Sequence, residues 1–263
     1  DDVRAFFDHV PPPWVLKPRT EASAVGIRKV NDPEQVWRAF DELGDLQSHY
    51  LIEQFVVGDV YHADAIVVDG RVLFCEVHRY HRPPFEVYHG GGLFRSCTVE
   101  RGGTEETGLR ALTQDVATAL EMDDGILHTE FIRGAADGQF YFLEVACRVG
   151  GANIADMIDA STGVNLWREW ARLEVARARG ERYTPVYQRE EYGGVIISLA
   201  RQEWPDTSPY DDPEIALRIR KANHAGFILR SPDEKRVHDL LEQYGQRFLT
   251  DFHATMPAQT SLR

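Results

Sequence analysis

Residues 126–148 read ILHTEFIRGAADGQFYFLEVACR. The flanks Ile126–Arg133 and Gln139–Arg148 have strand composition, and Gly134–Gly138 has the small and polar character of a turn. The stretch therefore predicts a β-hairpin. Strands paired symmetrically about Asp137 would set Glu130 opposite Glu144, with Cβ atoms ~4.5–5.5 Å apart. Like charges in that position destabilise a sheet and call for a counter-charge. A divalent cation with oxygen ligands would supply it, and Mg²⁺ suits a site of one or two carboxylates with substrate phosphates. Alternation puts Glu144, Ala146 and Arg148 on one face, with His128 and Glu130 on the same face of the partner strand. Arg148 is a permanent cation whose forked donors suit a phosphoryl group. A second reading stays open: a solvated face on which Arg133 and Arg148 pair with the two glutamates. A register slip of one would also move one glutamate to the other face. His128 by itself reads as a hydrogen-bonded structural histidine, and Cys147, alternating away from Arg148, as a core residue.

Upstream, residues 3–9 form a short amphipathic piece stopped by Pro11-Pro12-Pro13. Trp14-Val15-Leu16-Lys17 reads as a buried strand ending in a lysine, and the small, polar stretch Thr20–Gly26 as a loop. A lysine before a flexible Ser/Gly loop offers a point charge plus backbone N–H groups, which can grip phosphate. A helix is predicted from Asp32-Pro33 to Gly44. His49–Val57 reads as a strand broken by Gly58-Asp59; leaving its sheet, it could offer C=O and N–H groups to a planar base. Tyr61–Val68 and Arg71–Tyr80 flank Asp69-Gly70, a two-residue hairpin signal. Arg79–Gly92 reads as irregular; its Arg79, Arg82 and His89 could bind an anionic substrate or form local salt bridges. Helices are predicted at 105–120, at 161–179 and, with Ser231 as N-cap, at the C-terminal end. Strands are predicted at Gly193–Ala200 and Phe227–Arg230. Hairpins outnumber β-α-β alternation, so the class is α+β with antiparallel sheets.

The 263 residues carry 29 basic and 42 acidic side chains, a formal net charge of −13. A field of that sign disfavours nucleic acid and anionic membrane while leaving room for local phosphate sites. Hydrophobic residues at 43% place the chain among globular proteins, not disordered ones. No stretch has the length and apolarity of a membrane span, and the charged opening Asp1-Asp2-Val3-Arg4 is unlike a secretory leader. Three cysteines read as reduced thiols, so a cytoplasmic location is expected.

In order and spacing these pieces resemble the ATP-grasp superfamily, over roughly residues 13–165. Trp14–Arg19 resembles its lysine strand, Thr20–Gly26 its phosphate-covering loop, and Leu51–Gly58 its adenine hinge. Glu130 and Leu143–Arg148, followed by Gly150-Gly151, resemble its metal-binding strands. The resemblance implies two lobes of antiparallel sheet with helices clamping a nucleotide, with residues 1–57 as the smaller lobe and 58–263 as the larger. It implies an ATP-dependent, ADP-forming ligase that joins a small-molecule carboxylate to an amine through an acyl phosphate. It places Lys17, Arg19, Ser23 and Gly26 on ATP phosphate, and Glu53, Gln54 and Val56 on adenine. Glu130 and Glu144 would hold Mg²⁺ or Mn²⁺, Arg148 would act in phosphoryl transfer, and Arg79, Arg82 and His89 would bind substrate. Three departures stand out. Ala146 occupies a position where the family often has Asn, and His128 opposite it could compensate. Asp59 or Asp64 would replace the usual ribose-binding acid near Val60. An N-terminal domain and an upstream lysine are expected to precede this chain in a longer protein. Loss of catalysis with retained nucleotide binding, or a metal-free structural domain, are the alternative readings. A homodimer is left open by the sequence.

Overall fold

A computed structural model of the chain describes residues 2–20, 26–185 and 189–255, without the side chains of residues 88–90. The described residues fall into two compact units. One comprises those up to Val57 together with Pro84–Gly91; the other comprises Gly58–Pro83 and those from Gly92 onward. No described helix is long and apolar enough to cross a membrane.

The first unit opens with α1 (Asp2–His9), followed by β1 (Trp14–Pro18), β2 (Arg28–Val30), α2 (Pro33–Leu43) and β3 (Tyr50–Gln54). Its sheet has the order β2-β1-β3. Trp14, Val30 and Val36 form its buried core, with Ile52 and the α1 phenylalanines packed on them. α2 starts as the sequence reading expects: the Asp32 carboxylate accepts from the Gln35 N–H at 2.8 Å. β3 stops at Gln54, three residues before the predicted end, where the Phe55 N–H turns to the Pro13 carbonyl. The segment expected to be irregular contains a helix, α3 (Pro84–Gly90). Proline fits a first helical turn because its missing N–H has no partner there in any case.

The second unit holds an eight-stranded sheet. Its strands are β4 (Gly58–Val68), β5 (Arg71–Tyr80), β6 (Phe94–Thr98), β7 (Gly125–Gly134), β8 (Phe140–Ala146), β9 (Tyr192–Leu199), β10 (Ile215–Arg218) and β11 (His224–Ser231). Their order is β10-β11-β9-β6-β5-β4-β7-β8. Both sheets are antiparallel throughout, and the class is α+β. The β4–β5 turn has Asp69 and Gly70 both at positive φ, 51° and 74°, as a type I′ turn requires. One face packs on α5 (Ile154–Thr162) and α6 (Leu166–Ala178). The other packs on α4 (Thr104–Ala119) and α7 (Glu234–Asp251).

The helix expected at 161–179 is α6, which begins five residues later at Leu166, and α5, which ends at Thr162, lies almost wholly before the expected range. Gly163, at φ 81°, caps α5, and Asn165 starts α6 by accepting from the Arg168 N–H at 3.1 Å. The α7 cap is Asp233, whose carboxylate accepts from Lys235; Ser231, the expected cap, accepts instead from the Asp233 N–H. Gly58, expected to break a strand, begins one. A Cβ on it would sit 2.0 Å from the Arg133 carbonyl oxygen of the paired strand. Gly58→Ala is therefore expected to cost about 3 kcal/mol, since backbone has to move, read as a lower denaturation midpoint in urea.

Candidate metal and nucleotide site

The β7–β8 hairpin pairs His128 with Ala146, Thr129 with Val145 and Glu130 with Glu144. The predicted rung is thus present, although beyond Glu130 the register shifts by one and the hairpin tip is not symmetric about Asp137. β8 ends at Ala146, so alternation does not reach the next two residues. Cys147 is exposed and not in a core, and the Arg148 guanidinium donates to the Val149 carbonyl at 2.9 Å. Arg133 is engaged by Glu105 at 2.5 Å and does not neutralise Glu130.

Glu130 is held from the sheet side. Its Oε1 accepts the Tyr80 hydroxyl at 2.7 Å and lies 3.6 Å from His128 Nε2. The pairing of β4 with β7 sets His62 beside Glu130 and Asp64 beside His128. Asp64 is fully buried; its Oδ1 meets His128 Nδ1 at 2.8 Å and its Oδ2 meets His62 Nδ1 at 2.7 Å. The His62 ring crosses β5 between His78 and Tyr80, at 4.8 and 4.6 Å, to reach the Ser96 hydroxyl on β6. Burial works against charge on Asp64, but the two histidines outweigh it and hold the carboxyl well below its usual range. Burial likewise opposes the His128 imidazolium, and Asp64 with Glu130 overcomes this, raising the group to about 10. Glu130 is lowered in spite of its burial, by His128 and Tyr80. His78 is enclosed with neither ring nitrogen hydrogen-bonded among the described residues, and burial keeps it neutral.

His62, Asp64 and His128 bring three ligand-type atoms within 4.8 Å of one another. Each imidazole already meets one Asp64 oxygen, so a cation there would break both contacts. The cluster is a closed ion-pair network. It also removes Asp64 from any ribose role, since the side chain has no exposed surface. The Glu130–Glu144 rung differs: it offers hard oxygen donors, with Glu144 in an exposed position, and those donors fit Mg²⁺.

The substrate candidates separate. Arg79 pairs with Tyr61 and Cys97 and lies on the face opposite His78, Tyr80 and Glu130; the structure does not bring it to the rung. Arg82 packs its guanidinium over Gly92. The side chain of His89, and Ser23, lie outside the described residues.

In the first unit Lys17 is 7% exposed, and its Nζ lies 2.7 Å from Glu53 Oε2. Lys17 pairs with Leu51 and Glu53 with Val15, so the two charges are diagonal neighbours on one face. Lys29, paired with Val15, shares that face, and its Nζ stands 3.9 Å over the Phe55 ring. The sequence reading missed Lys29 because three-residue β2 is too short to show alternation. Gln54 is exposed and Val56 half-buried, at the end of an edge strand whose alternate backbone groups point away from β1. Arg19 is exposed, with its N–H on the His49 carbonyl. Gly26 has φ 74° beside the Tyr50 hydroxyl.

A buried lysine on a short strand of the first unit and a facing glutamate pair in the second are the features expected of a nucleotide- and metal-binding class of protein. The ATP-grasp domain model matches residues 10–156, and the chain belongs to that family. It is 24% identical over 186 residues to an L-arginine-specific L-amino acid ligase of Bacillus subtilis, covering 67% of this chain and 44% of that protein. Among solved structures, N5-carboxyaminoimidazole ribonucleotide synthetase from Thermus thermophilus superposes with a TM-score of 0.69 at 18% identity, over 97% of this chain and 66% of that one. N5-carboxyaminoimidazole synthetase from Staphylococcus aureus, complexed with ADP, gives 0.65 at 11% identity, over 92% and 63%. The chain thus spans about half the length of the curated relatives it matches.

Proposed function

We propose that the chain provides the nucleotide- and metal-binding part of an ATP-dependent, ADP-forming ligase acting on a small-molecule carboxylate and an amine. The observation that supports this most is the Glu130–Glu144 rung, two carboxylates set against each other on adjacent strands. Mg²⁺ bound there would neutralise ATP phosphate charge. Glu130 and Glu144 hold the cation. Lys17 contacts phosphate, aided by Arg19, Ser23 and Gly26, while Glu53, Gln54 and Val56 take adenine. Arg148 and Arg82 steady the phosphoryl group and the acid. A carboxylate oxygen attacks the γ-phosphorus and ADP leaves. The amine then attacks the acyl carbon, loses a proton and expels inorganic phosphate. The name of the Bacillus subtilis relative favours amino acids as both substrates.

Calorimetry with ATP, with and without Mg²⁺, tests the binding, and hydroxylamine trapping of an acyl phosphate as a hydroxamate tests the chemistry over a panel of amino acids. The expected outcome is Mg²⁺-dependent binding and amino-acid-dependent hydroxamate with stoichiometric ADP. Absence of Mg²⁺-dependent nucleotide binding would overturn the assignment. Lys17→Ala is expected to weaken ATP binding by about 1.5–3 kcal/mol, the worth of a charge-assisted contact; unchanged affinity in the same titration removes Lys17 from the site.

A further inference from the structure

The enclosed chain Ser96–His62–Asp64–His128 runs beneath the sheet face and ends on Glu130. It starts at a backbone anchor, where the Ser96 hydroxyl lies 3.2 Å from the Arg79 carbonyl. It draws on β6, β4 and β7 and passes over β5, through contacts of 2.8, 2.7 and 2.8 Å. Its last link is His128 Nε2, 3.6 Å from Glu130 Oε1, the oxygen that also accepts from Tyr80. Among the described residues the other oxygen, Oε2, has no hydrogen-bond partner. Asp64 has no exposed surface, so it cannot touch a ligand itself. Room for the Asp64–His128 pair depends on Gly150: a Cβ there would come within 2.7 Å of Asp64 Oδ1 and 2.9 Å of His128 Nδ1.

We propose that Asp64 and His128 are positioning residues for the divalent cation: they pin one Glu130 oxygen so that the other is presented in a single direction. This rests on the reading of Glu130 as a metal ligand. A glutamate has three side-chain torsions and loses rotamer freedom when it binds a metal. Fixing one oxygen in advance removes most of that cost from the binding step. Partners behind a metal ligand are typically worth about 10–100-fold in metal affinity. Facing Ala146, the His128 ring has only a methyl group beside it on the outer strand.

The test uses Mn²⁺ as a paramagnetic probe with ATP. Free and bound Mn²⁺ are separated by electron paramagnetic resonance, and ATP affinity in EDTA is measured in parallel. Asp64→Asn and His128→Leu are expected to weaken Mn²⁺-dependent ATP binding by about 10–100-fold and to broaden the bound Mn²⁺ spectrum. ATP binding in EDTA should stay within about twofold, a split that general loosening of the fold would not give. His128→Gln, which keeps a donor toward Glu130, is expected to recover much of the loss. If Glu130→Gln loses Mn²⁺-dependent binding while folded Asp64→Asn and His128→Leu retain it, the positioning role is wrong. If Glu130→Gln itself retains that binding, the metal assignment beneath it fails instead. Should Asp64→Asn not fold, the His128 pair decides: equal Mn²⁺ affinity for His128→Leu and His128→Gln overturns the proposal.

Discussion

Replacing Asp64 with alanine is expected to lower the free energy of unfolding by about 3–5 kcal/mol, because it strands a buried charge. The melting temperature should fall by roughly 10 °C for a chain of this size. Asp64 faces His128 and His62 with one oxygen each and is closed off from water. Its loss leaves the His128 imidazolium, 7% exposed, with only Glu130 3.6 Å away. The pH dependence has a definite sign. His128 is raised from 6.5 to about 10 in the folded protein, so its stabilisation is complete below the unfolded value and is lost as pH climbs through that window. Asp64 is lowered, and its share is present above about pH 4 and lost in acid. Neutral His78 is also lowered, and it costs stability below about pH 6.5, where the unfolded chain takes up its proton. Urea unfolding of both proteins from pH 7 to 10 should show the gap between them narrowing. A constant gap would mean that the pair is not ionised as described.

Glu144→Gln is expected to weaken Mg²⁺-dependent ATP binding on the order of a hundredfold, since on the proposed reading it removes a ligand itself where loss of a supporting partner alone costs about 10–100-fold. Stability should be hardly changed, because Glu144 is exposed on β8 and faces a like charge across the rung. Removing that repulsion offsets part of whatever packing is lost. Paired measurements separate the two effects: calorimetry with Mg²⁺ and ATP, and melting without ligand. Equal losses in both would mark Glu144 as a structural residue.

The rung was legible in sequence because a hairpin is local. Two strand-like runs with a small-residue turn fix their own register to within a residue, and the shift past Glu130 falls beyond the rung. The support behind Glu130 was not legible. His62 and Asp64, His78 and Tyr80, and His128 and Glu130 are each two apart on a strand and so share a face. That β4 lies between β5 and β7 is a non-local fact that no spacing reveals. Strands β2 and β10 are three and four residues long, too short to show periodicity. In β6, the inward Ser96 reads as a polar interruption until its bond to His62 is seen. The late start of α6 turns on the left-handed conformation of Gly163, which ends α5 just before it.

Among the described residues β8 is the outermost strand of its sheet, bonded to β7 alone, whereas β7 is flanked on both sides. One acidic side chain of the rung therefore rides on an interior plank and its mate on the border. Terminal strands fray at lower free energy than enclosed ones, so the two halves of the proposed ion cradle differ in stiffness. A cation bridging them would stitch the hem of the sheet as it arrives, and its departure would let that border breathe while Glu130 stays put.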